Sequence, residues 1–289
     1  MFKSGFVSII GKPNVGKSTL LNAMVGTKLS IVTPKAQTTR QSILGIINKD
    51  HYQIILCDTP GILEPKYRLH QIMLQTIKQS IKENDLALLL LAANECPGPE
   101  FELLKKISIP IILVINKIDL STPSQVAELR QIAEKELQFE EVILISALHQ
   151  FHILELEQLI VKHLPEGPPY FDKDQLTDRS ERFLVAEIIR EKIFEQFEQE
   201  IPYSTEVQVT QFKDVGNLIY IDAEVHVERN SQKIILIGKK GAAIQKVGTA
   251  ARIDIEKLLG KKVFLNLYVR VAENWKNKEF YMRQFGYKK

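Results

Sequence analysis

Gly11, Gly16, Lys17 and Ser18 stand at the fixed places of the pattern G-x-x-x-x-G-K-S, with Lys12, Pro13, Asn14 and Val15 between them and Thr19 after. That spacing holds a phosphate chain. The glycines let the backbone curl so that successive N–H groups face phosphate oxygens, the lysine reaches the β- and γ-phosphates, and the serine hydroxyl ligates Mg²⁺. Four further groups complete such a site. Thr38-Thr39-Arg40 offers hydroxyls in a polar stretch able to fold over a nucleotide, with Thr39 as a second Mg²⁺ ligand. Asp58-Thr59-Pro60-Gly61, followed by Ile62, supplies a carboxylate for a Mg²⁺-bound water and a backbone N–H for the γ-phosphate. In Asn116-Lys117-Ile118-Asp119 the Asp119 carboxylate can accept from guanine N1–H and its exocyclic amine, while Lys117 lies along the base. Adenine would leave that carboxylate unpaired, so the site rejects it. Ser146-Ala147-Leu148 adds the Ala147 N–H for guanine O6. Together these residues predict GTP and GDP binding with Mg²⁺.

The groups fall at the ends of predicted elements. An apolar strand at 6–10 precedes the phosphate loop, and a helix at 19–25, closed by Gly26, follows it. Strands at 43–48 and 52–57 are joined by the hairpin signal Lys49-Asp50-His51. Then helices at 68–82, 101–107, 125–137 and 153–163 alternate with apolar strands at 86–91, 111–115 and 142–145. Continuous apolar strands between amphipathic helices predict an α/β fold. Its mainly parallel sheet is covered on both faces and takes its ligand at the carboxyl ends of the strands.

Residues 164–172, rich in proline, read as a semi-rigid linker. The expected division is a nucleotide domain at 1–165, a linker at 166–177 and an α+β domain with a basic tail at 178–289. In the last, Asp178 is expected to cap a helix at 179–198 with apolar Phe183, Ile188, Ile189, Ile193 and Phe197. Strands at 206–212 and 218–227, turning at 214–217, and a strand at 263–271 follow, then a tail with Trp275, Phe280 and Tyr281. Between the strands lies Gly238-Lys239-Lys240-Gly241, flanked by Ile237 and Ile244. Small glycines let backbone approach backbone, lysines meet phosphates, and the isoleucines line a groove for bases, which suits single-stranded RNA. Lys233 and Lys246 extend the basic set.

Charge distribution agrees. Residues 1–171 carry 17 Lys/Arg and 17 Asp/Glu, residues 172–228 carry 6 and 14, and residues 229–289 carry 15 and 4. A final segment of net +11 points to a polyanion partner. The longest apolar run, 86–93, is too short to cross a bilayer, and no signal peptide is expected at the N-terminus. Cys57, in a predicted strand, and Cys96, in a predicted loop, lack metal-ligand spacing, so a reducing, cytoplasmic compartment is expected.

Over residues 5–163 the five stations resemble the translation-factor-related class of small GTPases. Two places depart. Where Ras-like members carry a catalytic glutamine this chain has Ile62, which cannot orient water, and Ala92-Ala93-Asn94 stands where many relatives end a strand in aspartate. The GxxG segment resembles the loop of a KH domain. The combination resembles the bacterial Era family over essentially the whole chain. That resemblance implies a KH domain of the second topological type, binding to the 3′ end of 16S ribosomal RNA, and help in assembling the 30S subunit. It implies GTP hydrolysis with Lys17, Thr39, Gly61 and Asn14 as the groups nearest the chemistry. Asn14 is included because the same Pro-Asn-x-Gly-Lys-Ser occurs in GTPases that recruit a potassium ion, although it can equally brace the loop. A cytoplasmic monomer is expected, with peripheral attachment to the inner face of the membrane left open. The alternative is an RNA-binding assembly factor whose GTP is mostly structural.

Overall fold

The computed structural model describes residues 1–95, 98–105 and 107–287. Cys96 therefore lies outside the described residues. The chain divides into two compact units, Met1–Pro65 with Met73–Asp178 and Lys66–Ile72 with Arg179–Lys289.

The first unit is built on a six-stranded sheet of order β2-β3-β1-β4-β5-β6. Its strands are β1 (Lys3–Ile10), β2 (Ile43–Asn48), β3 (Tyr52–Asp58), β4 (Leu86–Ala92), β5 (Ile111–Asn116) and β6 (Glu141–Leu144). All pairs are parallel except β2 with β3, as a two-strand hairpin requires. Every residue of β4 and of β5 is buried, the signature of strands covered on both faces. One core lies under α1 (Lys17–Val25) and α5 (Ile153–His163), with Leu20, Leu21, Leu156 and Ile160. The other lies under α2 (Arg68–Glu83), α3 (Glu100–Leu104) and α4 (Pro123–Glu136), with Ile77, Ile81, Leu104 and Leu129. Because β3 and β4 flank β1 on opposite sides, the chain changes direction across the sheet beside the phosphate loop, where open α/β sheets take their ligands.

Residues 165–178 do not hang free as a spacer. Ser4 N–H donates to the Pro165 carbonyl at 3.1 Å, Ile46 N–H to Leu176 at 2.9 Å, and Leu44 N–H to the Asp178 carboxylate at 3.1 Å. Gly45 and Thr177 form an isolated bridge, and the Gln53 amide oxygen accepts from the N–H groups of Tyr170 and Phe171. Residues 165–171 thus meet β1 and β3, and residues 176–178 lie along the outer edge of β2.

The second unit runs α6 (Glu181–Gln196), α7 (Ile201–Ser204), β7 (Glu206–Asp214), β8 (Leu218–Val227), α8 (Asn230–Ile237), α9 (Ala242–Leu259), β9 (Lys262–Val271) and α10 (Glu279–Gln284). Its sheet pairs β7 with β8 antiparallel and β8 with β9 parallel. Its core joins Val185, Ile189 and Ile193 of α6 with Val247, Ala251 and Ile255 of α9 and the inward residues of β8. The first helix corrects the expectation. It begins at Glu181 and is capped by Ser180, whose hydroxyl accepts from Phe183 N–H at 3.4 Å, while the Asp178 carboxylate is taken by Leu44. Both residues are good caps, so the sequence alone does not choose between them. Trp275, named only as part of a basic tail, is fully buried and donates from its indole N–H to the Ser204 carbonyl at 2.8 Å. Phe280 remains 71% exposed.

Candidate functional site

At the carboxyl ends of β1, β3, β5 and β6 lies a cleft of about 500 Å³, lined by Pro13, Asn14, Gly16, Lys17, Ser18 and Thr19 at one end. Asn116, Lys117, Asp119, Ser146 and Leu148 line the other end. Residues thus far apart in the chain converge because each follows a parallel strand and all such strands end on one side of the sheet.

At the phosphate end the loop is tightly determined. Gly16 has φ 103°, and the Asn116 amide lies where its side chain would stand, so only glycine fits. Lys17 is 6% exposed and its ammonium donates to the carbonyls of Gly11 at 3.1 Å and Lys12 at 2.7 Å. Burial lowers its pKa to about 8, against the pull of Asp58, Glu100 and Glu95. A buried ammonium hydrogen-bonded to two carbonyls is poised to exchange them for phosphate oxygens. Val15 belongs to the core and the Lys12 side chain runs past Gly98, so neither side chain faces the cleft.

Ser18, Thr39 and Asp58 are brought together. The Ser18 hydroxyl donates to Asp58 Oδ2 at 2.8 Å, Thr39 Oγ1 does so at 3.3 Å, and the two hydroxyls are 2.9 Å apart. Ser30, absent from the sequence reading, donates to the same oxygen at 2.8 Å. Asp58 Oδ1 is buried without a hydrogen-bond partner. Burial raises the Asp58 pKa, with Lys17 and the three hydroxyls pulling it down. A buried carboxylate with one orphaned oxygen beside two hydroxyls is an all-oxygen donor set suited to a hard cation such as Mg²⁺. Asn14, with φ 65°, donates from its amide to the Pro34 carbonyl at 2.9 Å, tying the phosphate loop to the 30–41 segment.

Expectations at four residues are corrected. Ile62, named as a nucleotide contact, is buried in the core shared with Ile77 and Ile81. Its N–H donates to the Gly11 carbonyl at 3.2 Å, and it does not line the cleft. Its apolar side chain takes the dry side of the loop, leaving Gly61 on the cleft wall; Thr59 and Pro60 do not line it either, Thr59 donating its hydroxyl to the Ile9 carbonyl at 2.8 Å. Ala147 N–H, assigned to guanine O6, donates instead to Asn116 Oδ1 at 2.9 Å. The Asn116 amide in turn donates to the Val15 carbonyl at 2.8 Å, so this side chain fastens the base end to the phosphate loop.

At the base end Asp119 stands 3.7 Å from His149 Nε2, and Lys117 pairs with Glu95 at 3.4 Å. Sequence reasoning missed Glu95, Leu120, Val32 and Gln37, which also line the cleft. Leu120 is 64% and Leu148 72% exposed; two apolar side chains at a slot of this kind can enclose a flat base. An apolar residue directly after N-K-x-D was the available signal for Leu120. Glu95 had none.

In the second unit Gly238 has φ 71°, and a Cβ there would lie 2.7 Å from the Ala243 Cβ, so the close approach of α8 and α9 requires glycine. Lys239, Lys240 and Lys246 are exposed, and Lys233, Ile237, Gly241 and Ile244 are half-buried around the turn. Ile234 and Ile235 on α8 are also exposed, at 65% and 51%.

Residues 6–117 match the family of 50S ribosome-binding GTPases, and residues 200–276 match the KH domain. GTPase Era of Geobacter metallireducens is 47% identical over 99% of this chain and 98% of its own. GTPase Era of Clostridium botulinum is 43% identical over 100% and 99%. A crystal structure of Era in complex with MgGDPNP and nucleotides 1506–1542 of 16S ribosomal RNA superposes with TM-score 0.94, at 42% identity and 99% coverage of both chains. A variant of Aquifex aeolicus Era bound to GDP·AlF₄⁻ gives the same score and identity. Full-length coverage at this identity, with the nucleotide cleft and the GxxG turn on one chain, makes this protein a member of the Era family of GTPases.

Proposed function

We propose that this chain is a switch that hydrolyses GTP, binds the 3′ end of 16S ribosomal RNA through its KH domain, and assists assembly of the 30S subunit. The observation that carries the reading is the pairing of the Ser18–Thr39–Asp58 cluster in a guanine-type cleft with a lysine-bearing GxxG turn. The likeness to a relative crystallised with MgGDPNP and 16S nucleotides 1506–1542 supports it. The nucleotide domain is assigned to residues 1–165, the joining segment to 166–177 and the RNA-binding domain to 178–289. The protein acts as a cytoplasmic monomer, with peripheral contact to the membrane face as a further arm; among the described residues no helix is long and apolar enough to cross a membrane.

In the mechanism, loop N–H groups after Gly11 and the Lys17 ammonium take the β- and γ-phosphates, and Gly61 N–H meets the γ-phosphate. Ser18, Thr39 and Asp58 would hold Mg²⁺, which offsets phosphate charge when bound. Asp119 accepts from the base, Lys117 and Leu148 cover its faces, and Asn116 keeps the two ends in register. With Ile62 turned into the core, no side chain follows Gly61 toward the γ-phosphate. Water positioning falls to the 30–41 segment, where Thr39 and Gln37 line the cleft. A potassium ion held by Asn14 is a second arm of the proposal; the Asn14–Pro34 hydrogen bond favours bracing as that residue's role in the free protein. The test is GTP turnover with and without an RNA carrying the 16S 3′ end. Stimulation by RNA supports the switch. Turnover that is negligible in both supports the reading in which GTP is structural.

A further inference from the structure

A second groove, of about 600 Å³, opens on the first unit between α2, the residues that follow Gly61, and α3 with the loop after it. Ile62, Leu74, Ile81 and Leu103 give it an apolar floor. Its two rims differ in charge. On the α3 side Glu102 shares Lys105 with Glu136, each at 2.8 Å, and on the wall that follows Gly61 the Glu64 carboxylate is exposed. On the α2 side Lys78 and Lys82 are exposed and enter no ion pair among the described residues. They stand four residues apart on one helix, so their heads repeat along the groove at about 6 Å.

That repeat is the one a second helix presents when it carries acids at i and i+4, with its apolar anchors at i, i+3, i+4 and i+7 set on the groove floor. The wall is also tied to the nucleotide site. Residues 62–65 follow Gly61 directly, and Ile62 N–H donates to the phosphate-loop carbonyl of Gly11. We propose that this groove docks an amphipathic helix of a protein partner, acidic along one border of its apolar ridge, and that the bound nucleotide sets its affinity. By linkage, the partner then shifts the preference for GTP over GDP by the same factor. The charge preference stands on the groove alone, whereas the nucleotide dependence rests on the GTPase reading.

The experiment uses the full chain loaded with Mg²⁺ and either a non-hydrolysable GTP analogue or GDP, with nucleotide occupancy measured on the same samples. Two synthetic helices of about fifteen residues share one leucine ridge and differ only in carrying Glu or Lys at the border positions. The Glu peptide is expected to bind about tenfold tighter than the Lys peptide, and by a factor of about five or more differently in the two nucleotide states. Reversing the rim with Lys78→Glu and Lys82→Glu should reverse the peptide preference. Ser108→Trp, at an exposed rim position, should block binding with nucleotide affinity unchanged. Equal binding of both peptides, binding that survives Ser108→Trp, or equal affinity in both nucleotide states at full occupancy would each overturn the proposal. So would decanoate binding as tightly as the Glu peptide, which would assign the groove to a small amphiphile.

Discussion

Two turns of this chain are built from the same residue types, glycine and lysine before a helix, yet their physics is opposite. In the phosphate loop Lys17 is buried and its charge costs enough that its pKa falls to about 8. At the GxxG turn Lys239 and Lys240 are exposed on a backbone with φ 51° at Lys240. The first arrangement excludes water and fits one ligand of fixed shape. The second leaves its charges hydrated, so its attraction is general and screened by salt. Burial therefore separates a site that selects from one that attracts.

The sharpest way to break the comparison is at the base. Asp119→Asn should weaken GTP by about a thousandfold and move preference to xanthine nucleotides, because the paired acceptor for the base is lost. A nucleotide titration checks it, and unchanged GTP affinity would remove Asp119 from the base contact. Next, Lys239→Asp with Lys240→Asp should weaken single-stranded RNA by about ten- to a hundredfold and make the slope of log K against log salt shallower by about 1.4. GTP binding should persist. Filter binding across a salt series reads both, and an unchanged slope would place the phosphate contacts elsewhere.

A smaller effect sharpens the buried side. Phosphate oxygens favour the charged form of Lys17, so above pH 8 the free protein must take up a proton on binding. The dissociation constant for GTP should then rise by up to about tenfold per pH unit from pH 8. Calorimetry in buffers of different ionisation enthalpy measures the uptake. Lys17 acts on folding with the other sign: its folded value lies below the ordinary 10.5, so stability rises with pH through the interval from 8 to 10.5. Smallest is the monovalent ion. If Asn14 holds potassium, hydrolysis should be several-fold faster in potassium than in sodium chloride at equal ionic strength, and Asn14→Ala should erase the difference. Equal rates in both salts would leave Asn14 its bond to Pro34.

Much of this was readable beforehand because the strands are buried on both faces. The runs at 86–91 and 111–115 could be placed within a residue since nothing polar interrupts them. Spacing likewise set Gly16, Lys17, Asp58 and Asp119 at or just beyond the ends of β1, β3 and β5, and at Gly16 the φ of 103° admits only glycine. What escaped is decided by packing. Nothing in sequence says that Ile62 turns inward, that Ala147 N–H serves Asn116, or that Ser30 completes the ring of hydroxyls on Asp58. Asp178 and Ser180 are equally good caps, and only the claim of Leu44 on Asp178 separates them.

The segment at 165–178 carries a consequence for aggregation. β2 is an edge strand, and an uncovered edge is a template for pairing with another molecule. Here Leu176, Thr177 and Asp178 occupy it, taking the N–H groups of Ile46 and Leu44 and bridging Gly45. A fragment cut at residue 165 keeps every residue that lines the cleft but bares the apolar stretch Ile43–Asn48. It should self-associate through that strand, whereas a fragment ending at 178 should stay dispersed. Residues 176–178 are thus a sealing strip for the sheet.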